Sequence, residues 1–410
     1  MSAPHANRTE SSARLSTMFC GLEFPNPLIV PAGVHGRDGE TMALVARTGG
    51  VGGVCTKTIV SQPAHDVLPC FSSVGVGMVN SVFGSDRTSE YWFTEGIKRA
   101  KEGGAHVIAN LAGFTPDEAA SLAESAVKAG ADMIMLPTHC PHMGEILMAM
   151  FPGMSFPEPD LTDVEPMKAS VQRIKEAVDV PVVVKLSGTF AHIVGEWAVG
   201  VRDSGADAIA CSDAVGPALS IDTRTGQPVL GGPRGVGGLT GPAIMPITLR
   251  MTLEAAMVSG LPVIGIGGVT TADDVLQYIM AGASLVGVCT VGHMKGIEAY
   301  ADLISALDRR VQALGISSLA DVRALTIRRI EERKEQGKTA VTEPVVPTVH
   351  SAKCTKCGAC QRVCAYGALS VQKDVGATID ESVCIGCGLC VSVCRFDALE
   401  QTYYDKTMPS

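Results

Sequence analysis

The sequence predicts an α/β fold, a (β/α)8 TIM barrel, followed by a small α+β domain at the C-terminus. Short runs rich in Val and Ile recur between residues 28 and 289, and an amphipathic segment follows most of them. Strands of this kind are buried on both faces and indicate a parallel sheet. Eight of them within about 300 residues indicate a barrel. The residues from 351 onward differ, because they hold eight of the 14 cysteines, and they predict a separate domain.

The alternation of apolar and amphipathic segments gives the order of the elements. The predicted strands are Leu28–Ala32, Gly53–Thr58, His106–Leu111, Asp132–Pro137, Pro181–Leu186, Asp207–Cys211, Pro262–Gly267 and Ser284–Cys289. The predicted helices include Pro116–Ala129, Glu165–Ala177, Gly195–Ser204, Thr271–Ala281 and Ile297–Ala313. We expect a loose tail over residues 1–17, the barrel over 18–315, a helical and Pro-rich linker over 316–350 and the small domain over 351–402.

The C-terminal cysteines form two copies of one pattern, Cys-x-x-Cys-x-x-Cys-x-x-x-Cys. This spacing is typical of a bacterial two-cluster ferredoxin, in which the fourth cysteine of each run binds the other [4Fe–4S] cluster. The expected ligands are Cys354, Cys357, Cys360 and Cys394 for one cluster, and Cys384, Cys387, Cys390 and Cys364 for the other. Structural zinc sites use two pairs of ligands, and disulfides are unusual inside cells. The small domain is therefore expected to be ferredoxin-like and to carry electrons.

Composition narrows the class of protein. The net charge of −9 disfavours nucleic acid and anionic membranes as partners. No apolar run approaches the roughly 20 residues of a transmembrane helix, and the N-terminal residues lack the apolar core of a secretory signal. The six cysteines outside the two runs are scattered, which indicates reduced thiols. The sequence thus predicts a cytoplasmic protein.

Small or polar residues stand at the ends of the predicted strands, where barrels place their active sites. They are Ala32, Gly33, Lys57, Asn110, His139, Cys140, His142, Lys185, Asp213, Gly267, Gly268, Cys289 and Thr290. The glycine pair after the seventh strand and the Cys-Thr pair after the eighth lie where barrels bind phosphate. Lys57 and Lys185 would each need an anionic or hydrogen-bonding partner if buried. A flavin with its phosphate tail would supply such partners.

From Phe19 to about residue 320, the chain resembles the dihydroorotate dehydrogenase barrel. With its tail it is similar to the C-terminal half of dihydropyrimidine dehydrogenase, which exists in bacteria as a separate flavin and iron–sulfur subunit. The stretches that carry the resemblance are NPLIVPAGV, CTKTIV, VNSVFG, ANLAG, HCPHMG, VVKLSG, GVGGLTGPAIMPITLR, GIGGV and GASLVGVCT. Their order and spacing agree throughout, so the resemblance covers most of the chain.

The resemblance implies a role for each motif residue. Ala32, Gly33, Lys57, Asn110 and Lys185 would line the FMN ring and ribityl chain, Gly238 and Gly241 would bring backbone to the flavin, and Gly267, Gly268, Cys289 and Thr290 would hold its phosphate. Cys140 matches the active-site cysteine that exchanges a proton with a substrate carbon. A thiol with a pKa of ~8.5 is mostly protonated at neutral pH and can act as a general acid. His142 is expected to face the substrate, and His139 less directly.

Two positions depart from the pyrimidine-using members. Asn80 matches one of the asparagines that hold the substrate's amide edge, but Pro137 and Asp213 stand where two others are expected. Asparagine both donates and accepts, whereas proline has no polar side chain and an ionised aspartate only accepts. We therefore expect a substrate other than uracil, thymine or dihydroorotate. The Met-rich stretch over residues 143–160 is interpreted either as a lid packed on the barrel or as an adaptable apolar cover for a larger substrate.

The sequence predicts an FMN- and iron–sulfur-dependent oxidoreductase that reduces or forms an activated C=C bond in a small cyclic or conjugated substrate. No dinucleotide-binding glycine motif follows a predicted strand, so a ferredoxin or an NAD(P)H-oxidising flavoprotein subunit is the expected electron partner. A homodimer or hetero-oligomer is the family-like expectation. The alternatives are a dihydropyrimidine dehydrogenase catalytic subunit, a glutamate synthase-like or isomerase-like FMN barrel, and a non-catalytic electron-relay subunit.

Overall fold

The structure is a computed structural model that describes residues 13–141, 143–150, 153, 160–340 and 342–403. It divides into two compact units, one ending at Arg328 and the other beginning at Arg329. This division places part of the expected linker in each unit, since the helices Leu319–Val322 and Leu325–Glu335 lie around the boundary. None of the helices in the described ranges has the length and hydrophobicity that a membrane-crossing segment requires.

The first unit is a closed barrel of eight parallel strands, which confirms the predicted fold class. Each strand pairs with the next one along the chain, and the eighth pairs with the first. The strands are β1 Leu28–Val30, β2 Gly53–Cys55, β3 His106–Asn110, β4 Met133–Pro137, β5 Val182–Leu186, β6 Ala208–Cys211, β7 Val263–Ile266 and β8 Ala283–Gly287. They form where the sequence has apolar β-branched runs, because every side chain of a barrel strand faces either the interior or the surrounding helices.

Helices surround the barrel and bury their apolar faces against it. They are Gly39–Gly49, Ile97–Lys101, Pro116–Lys128, Glu165–Ala177, Val194–Asp203, Met245–Ser259, Ala272–Met280 and Glu298–Ala313, with a π-helix over Trp92–Gly96 and shorter helices Met143–Met150 and Thr290–Lys295. Several begin with a capping side chain, such as Thr115, which accepts the N–H of Glu118. Thr271 and Asp274 form a reciprocal capping box.

Two antiparallel additions extend the two ends of the barrel. A hairpin of Thr17–Phe19 and Leu22–Phe24 contributes Phe19 and Phe24 to the inner core of the barrel. A four-stranded sheet in the order Val215–Ala218, Gly237–Thr240, Met78–Asn80 and Phe71–Ser73 is built from chain that follows β2 and β6. Since these segments leave the carboxyl ends of their strands, this sheet lies at the end of the barrel where active sites form.

The second unit has the small α+β architecture that the cysteine spacing predicts. Two short helices, Ala359–Val363 and Leu389–Ser392, each lie within one cysteine run and carry its third cysteine. Strands Leu369–Gln372 and Gly376–Ile379 form a hairpin, and Thr348–Val349 pairs with Leu399–Glu400. The core between them is small and contains Leu369, Ala377 and Leu399 together with the cysteines. A core of this size is expected of a domain that is stabilised by bound metal clusters.

Candidate functional site

Asn110, at the end of β3, is completely buried and only partly satisfied. Its Nδ2 donates to Thr58 Oγ1 at 2.7 Å, and its backbone N–H donates to Thr56 Oγ1 at 3.0 Å. Its Oδ1 is the buried side-chain oxygen that has no hydrogen-bond partner among the described residues. An unpaired buried acceptor costs about 1–3 kcal/mol. The site therefore fits a ligand that presents an N–H or O–H to Asn110, as the imide of a flavin ring does.

Lys185 and Asp213 lie at the ends of the neighbouring strands β5 and β6. Lys185 is buried, and no carboxylate lies within ion-pairing distance of its Nζ in the described part of the chain. Asp213 Oδ1 accepts the N–H of Gly188 at 3.2 Å. Burial raises the pKa of Asp213 to about 6, although the charge of Lys185 and the Gly188 N–H lower it. This pair therefore offers a buried cation beside a carboxyl group that changes its charge near neutral pH.

Lys57, just after β2, has a protein partner that the sequence did not indicate. Its Nζ lies 2.7 Å from Asp66 Oδ2, and both side chains are largely buried. Asp66 is fixed in turn, because its Oδ1 accepts the N–H of Phe83 at 2.8 Å. The cation is thus neutralised by the protein, and a flavin need not balance its charge. Lys57 stays a predicted cofactor contact, now with a defined orientation.

The glycine turns expected to hold a phosphate come together at the ends of β7 and β8. Gly268 has a left-handed φ of +75°, and a Cβ there would lie 2.8 Å from the carbonyl oxygen of Gly241. A Cβ on Gly241 would lie 3.3 Å from Thr290 Cγ2. The N–H groups of Gly267 and Gly268 donate no hydrogen bond within the described ranges. Close backbone approach and free N–H groups fit an anion such as the flavin phosphate.

The turn at Gly267 is fixed from behind by a tyrosine. The hydroxyl of Tyr278 donates to the carbonyl oxygen of Gly267 at 2.7 Å and lies 2.6 Å from Thr248 Oγ1. All three groups are buried, and the ring of Tyr278 fills the space that a side chain at Gly265 would need. The helix after β7 is therefore bonded directly to the glycine turn.

Gly33 and Cys289 face each other across β1 and β8. A Cβ on Gly33 would lie 3.4 Å from Cys289 Sγ, and burial raises the pKa of Cys289 to about 12. Ala32 packs against the inner core of the barrel. All three residues are thus small and uncharged, which fits a flat apolar ring packed above them.

Three aromatic residues near Cys289 were missed by the sequence analysis. Cys289 Sγ lies 3.6 Å from His293 Nε2, and the His293 ring contacts that of His35. His35 Nδ1 lies 2.9 Å from the hydroxyl of Tyr300. Burial lowers the pKa of His293 to about 4, and the neighbouring His35 lowers it further. Cys289 directly precedes the helix Thr290–Lys295, which carries His293, and this i, i+4 spacing is the signal that could have revealed the group.

Asn80 reaches the site through the four-stranded sheet. It pairs with Gly238 in the sheet, and its Nδ2 donates to the carbonyl oxygen of Gly238 at 3.4 Å. The structure therefore brings together a predicted substrate contact and a predicted flavin contact. Their positions in the sequence are far apart, so only the long-range strand pairing shows that they are neighbours.

Cys140 and His139 lie on the loop after β4, as expected. Cys140 is half-buried and precedes the helix Met143–Met150, whose first N–H donates to the Cys140 carbonyl at 3.0 Å. The ring of His139 lies 5.8 Å from that of Phe190. The next residue, Pro141, would lie 3.0 Å from a Cβ on Gly216, so this loop packs on the loop after β6. His142 and most of the Met-rich stretch after Met150 lie outside the described residues.

The eight cysteines of the second unit line two cavities. Cys354, Cys357, Cys360 and Cys394 line the first cavity, and Cys364, Cys384, Cys387 and Cys390 line the second. The fourth cysteine of each run thus faces the cavity of the other run, as expected for two crossed [4Fe–4S] sites. The other lining atoms are mainly apolar, which fits a cluster held by thiolates alone. The ligand assignment remains a prediction with this support.

Comparisons with known proteins agree with the two units. A family model described as "Dihydroorotate dehydrogenase" matches residues 14–311, and one described as "4Fe-4S dicluster domain" matches residues 323–398. The chain is 33% identical over 309 residues to "Dihydroorotate dehydrogenase B (NAD(+)), catalytic subunit" of Methanothermobacter thermautotrophicus, covering 75% of this chain and 97% of the relative. It is 36% identical over 293 residues to the protein of the same name from Methanosarcina mazei, covering 68% and 88%.

A third relative of that name, from Exiguobacterium sibiricum, is 32% identical over 316 residues, or 76% of this chain and 96% of the relative. These three alignments leave between 24% and 32% of this chain unmatched and cover between 88% and 97% of each relative. FMN and [4Fe–4S] clusters are the cofactors of this chain, and its reaction is an oxidoreduction at CH–CH groups. From the barrel, its strand-end residues and these matches, we conclude that the chain belongs to the dihydroorotate dehydrogenase family.

Proposed function

We propose that the protein interconverts a CH–CH bond and an activated C=C bond in a small cyclic substrate, using FMN and two [4Fe–4S] clusters. The observation that carries this proposal is the buried, unpaired Oδ1 of Asn110 at the carboxyl end of the barrel. It requires a ligand donor at the position where the family's flavin ring would lie. The alignment with dehydrogenase catalytic subunits supports the same reaction class.

The chain's residues would hold FMN in two parts. Asn110 would accept a hydrogen bond from the ring and Lys185 would donate one to it, while Asp66 holds Lys57 in place. Gly267, Gly268 and Thr290 would hold the phosphate through backbone N–H groups, a role that the close backbone approach at the two glycines supports. When bound, FMN supplies hydride exchange with carbon and one-electron exchange with the clusters.

Cys140 is proposed to move the proton that accompanies the hydride. Its loop packs on the loop after β6, where Asp213 begins the segment that leaves the barrel. As a thiol, Cys140 can give its proton to the substrate carbon and take it back in the reverse direction. His139 and His142 are proposed to line the same loop toward the substrate.

Dihydroorotate and orotate are the first substrate pair that the relatives support, since these proteins are named dihydroorotate dehydrogenases. Asn80 could bind the amide edge of such a ring. Asp213 can take the role of the missing asparagine when protonated, because a carboxylic acid both donates and accepts. Its raised pKa of about 6 makes this form accessible near neutral pH.

A cyclic or conjugated substrate without an amide edge is the second candidate. It is favoured by Pro137, which offers no polar side chain at the end of β4, and by Asp213 in its ionised form. An ionised carboxylate would also repel the carboxylate of orotate. The pocket would then select an activated C=C bond by shape rather than by pairing with a ring amide.

The external electron partner is proposed to be a separate protein, either a ferredoxin or an NAD(P)H-oxidising flavoprotein subunit. The relatives are named as catalytic subunits, which indicates a further subunit in their assemblies. In this chain the cluster unit is fused to the barrel, so it would pass electrons between that partner and the flavin.

The test is anaerobic reoxidation of the reduced protein. The purified chain would be reduced with dithionite, and flavin and cluster absorption followed after adding orotate, uracil or a cyclic enone. Reoxidation by orotate supports the first candidate, and reoxidation by the enone alone supports the second. Reoxidation by uracil would assign a dihydropyrimidine dehydrogenase, and no reoxidation by any of them would favour a relay role.

Cys140→Ala tests the proton-transfer role in the same assay. We expect substrate reoxidation to slow by about 10²–10⁴-fold, as for loss of a general acid, with flavin and iron contents unchanged. Cys20→Ser is the matched control, since Cys20 is a half-buried thiol on the hairpin before β1 and lies outside the proposed site. Equal rates for Cys140→Ala and the wild type would refute the assignment.

A further inference from the structure

The two cluster sites differ sharply in the charge around them. The segments around the first cavity contain more basic than acidic residues. The basic ones, all exposed, are Lys353, Lys356, Arg362, Lys373 and Arg395, and the acidic ones are Asp374 and Asp397. The segments that line the second cavity, residues 364–372 and 380–393, contain no Lys or Arg and include Asp380 and Glu381. One end of the unit is therefore basic and the other is not.

The cations of the first site surround an exposed ligand. Cys357 is exposed, and Arg362 Nη1 donates to its carbonyl oxygen at 3.1 Å. Lys356 Nζ donates to the carbonyl oxygen of Lys373, so the turn between the hairpin strands packs on the cysteine loop. A Cβ on Gly376, in the same hairpin, would lie 3.5 Å from Cys354 Sγ. The hairpin therefore holds Lys373 beside the first cluster site.

The second site presents apolar side chains in place of these cations. Cys387 is exposed there as well, but Tyr366, Ile385 and Leu389 around it are each about half exposed. The residues between the first two cysteines of each run show the difference directly, since Thr355 and Lys356 correspond to Ile385 and Gly386. Both clusters thus have a route to the surface, and charge distinguishes the two routes.

We propose that the basic end, defined as Lys353, Lys356, Arg362 and Lys373 around Cys357, is the docking surface for an acidic one-electron carrier protein. This rests on the proposed function, in which electrons come from a separate protein. A carrier with acidic residues around its cofactor would be repelled by most of a chain of net charge −9 and attracted by this surface. In each encounter one electron passes from the carrier to a cluster, so the carrier is oxidised and the cluster is reduced by one electron.

The chain offers a clean variant for this test. Lys353 and Lys373 are exposed, and no hydrogen bond or ion pair of either side chain is found in the described ranges, so the double variant Lys353→Glu/Lys373→Glu changes charge without breaking a contact. Lys334→Glu/Lys338→Glu is the matched control, since it makes the same charge change on exposed residues outside both cluster sites. Iron content and the absorption of the clusters show that each variant is loaded.

The measurement is the second-order rate at which a reduced acidic flavodoxin reduces the clusters, followed by stopped flow in the absence of substrate. We expect the Lys353→Glu/Lys373→Glu rate to fall at least about tenfold at low salt, within the range that electrostatic steering contributes. The difference should disappear near 1 M salt, where the Debye length is about 3 Å. Reduction by dithionite should not change, and carbodiimide cross-linking of flavodoxin to the chain should fall in parallel.

Equal rates for the wild type and Lys353→Glu/Lys373→Glu at low salt would overturn the proposal, as would an equal loss in the control variant. A basic carrier gives a second measurement, because reduced Lys353→Glu/Lys373→Glu should reduce cytochrome c faster than the wild type does. Substrate turnover plays no part in these readouts. A failure here is therefore distinguishable from a failure of the proposed reaction.

Discussion

The clearest prediction concerns Asp213, whose burial carries a cost in stability that depends on pH. Burial raises its pKa from the ordinary value of 3.8 to about 6, so the folded protein binds the proton more tightly than the unfolded chain. The contribution of Asp213 is therefore most favourable below pH 4 and becomes unfavourable as pH rises toward 6. A difference of this size costs roughly 3 kcal/mol once the carboxyl group is ionised in both states.

Asp213→Asn removes that ionisation but keeps an oxygen that can accept the N–H of Gly188. From the two pKa values, the cost to the wild type is about 2 kcal/mol at pH 5 and about 3 kcal/mol at pH 8. The variant should therefore be more stable than the wild type at both pH values. Its advantage should grow by about 1 kcal/mol between them, or ~3 °C in unfolding midpoint for a domain of this size.

Intrinsic fluorescence is a suitable assay, because the protein has two tryptophans and both lie in the barrel. Trp92 is fully buried, and Trp197 stacks on Phe190 at 4.2 Å between ring centroids. Thermal unfolding of the full chain would be followed at pH 5 and pH 8 for both proteins, and the pH dependence of all other groups cancels in the comparison. A stability difference that does not change with pH, or a less stable variant, would refute the reasoning.

Three further predictions concern single contacts. Asn110→Ala removes the unpaired acceptor and should weaken FMN binding about tenfold, equivalent to ~1.4 kcal/mol. Equilibrium dialysis of flavin would measure the affinity, and an unchanged affinity would contradict the role assigned to Asn110. Asp66→Asn leaves the buried ammonium of Lys57 without its counter-charge, so the free energy of unfolding should fall by about 3 kcal/mol. Urea unfolding would measure this loss, and the double variant Asp66→Asn/Lys57→Met should recover part of it. Cys394→Ser and Cys364→Ser should each remove a different cluster, leaving about four irons of eight with distinct electron paramagnetic resonance spectra; loss of the same cluster in both would refute the crossed assignment.

The barrel could be predicted because its strands carry a local signal. Stretches such as Val263–Ile266 have no polar side chain and are buried at every position, as a strand buried on both faces requires. The strand-end residues followed from the fold, and Asn110, Lys185 and Asp213 all occur where β3, β5 and β6 end. The cysteine runs were equally informative, since ligand spacing is a property of the local chain.

Features that depend on distant segments could not be predicted in this way. The four-stranded sheet is made of strands with three or four residues each, and the pairing of Asn80 with Gly238 joins segments that are far apart in sequence. Asp66 has no pattern that marks it as the partner of Lys57. Such contacts arise only when loops meet over the barrel, because tertiary packing rather than local preference selects them.

The tyrosine behind the Gly267 turn has a consequence for ligand capture. A loop that must first be ordered loses conformational entropy when its ligand arrives, and that loss weakens binding. Tyr278 and Thr248 already fix the carbonyl of Gly267 through buried hydrogen bonds, so the entropy was lost when the barrel folded. The turn is therefore already ordered when an anion arrives, and binding costs little further conformational entropy. Cooling or crowding should change the shape of the turn very little.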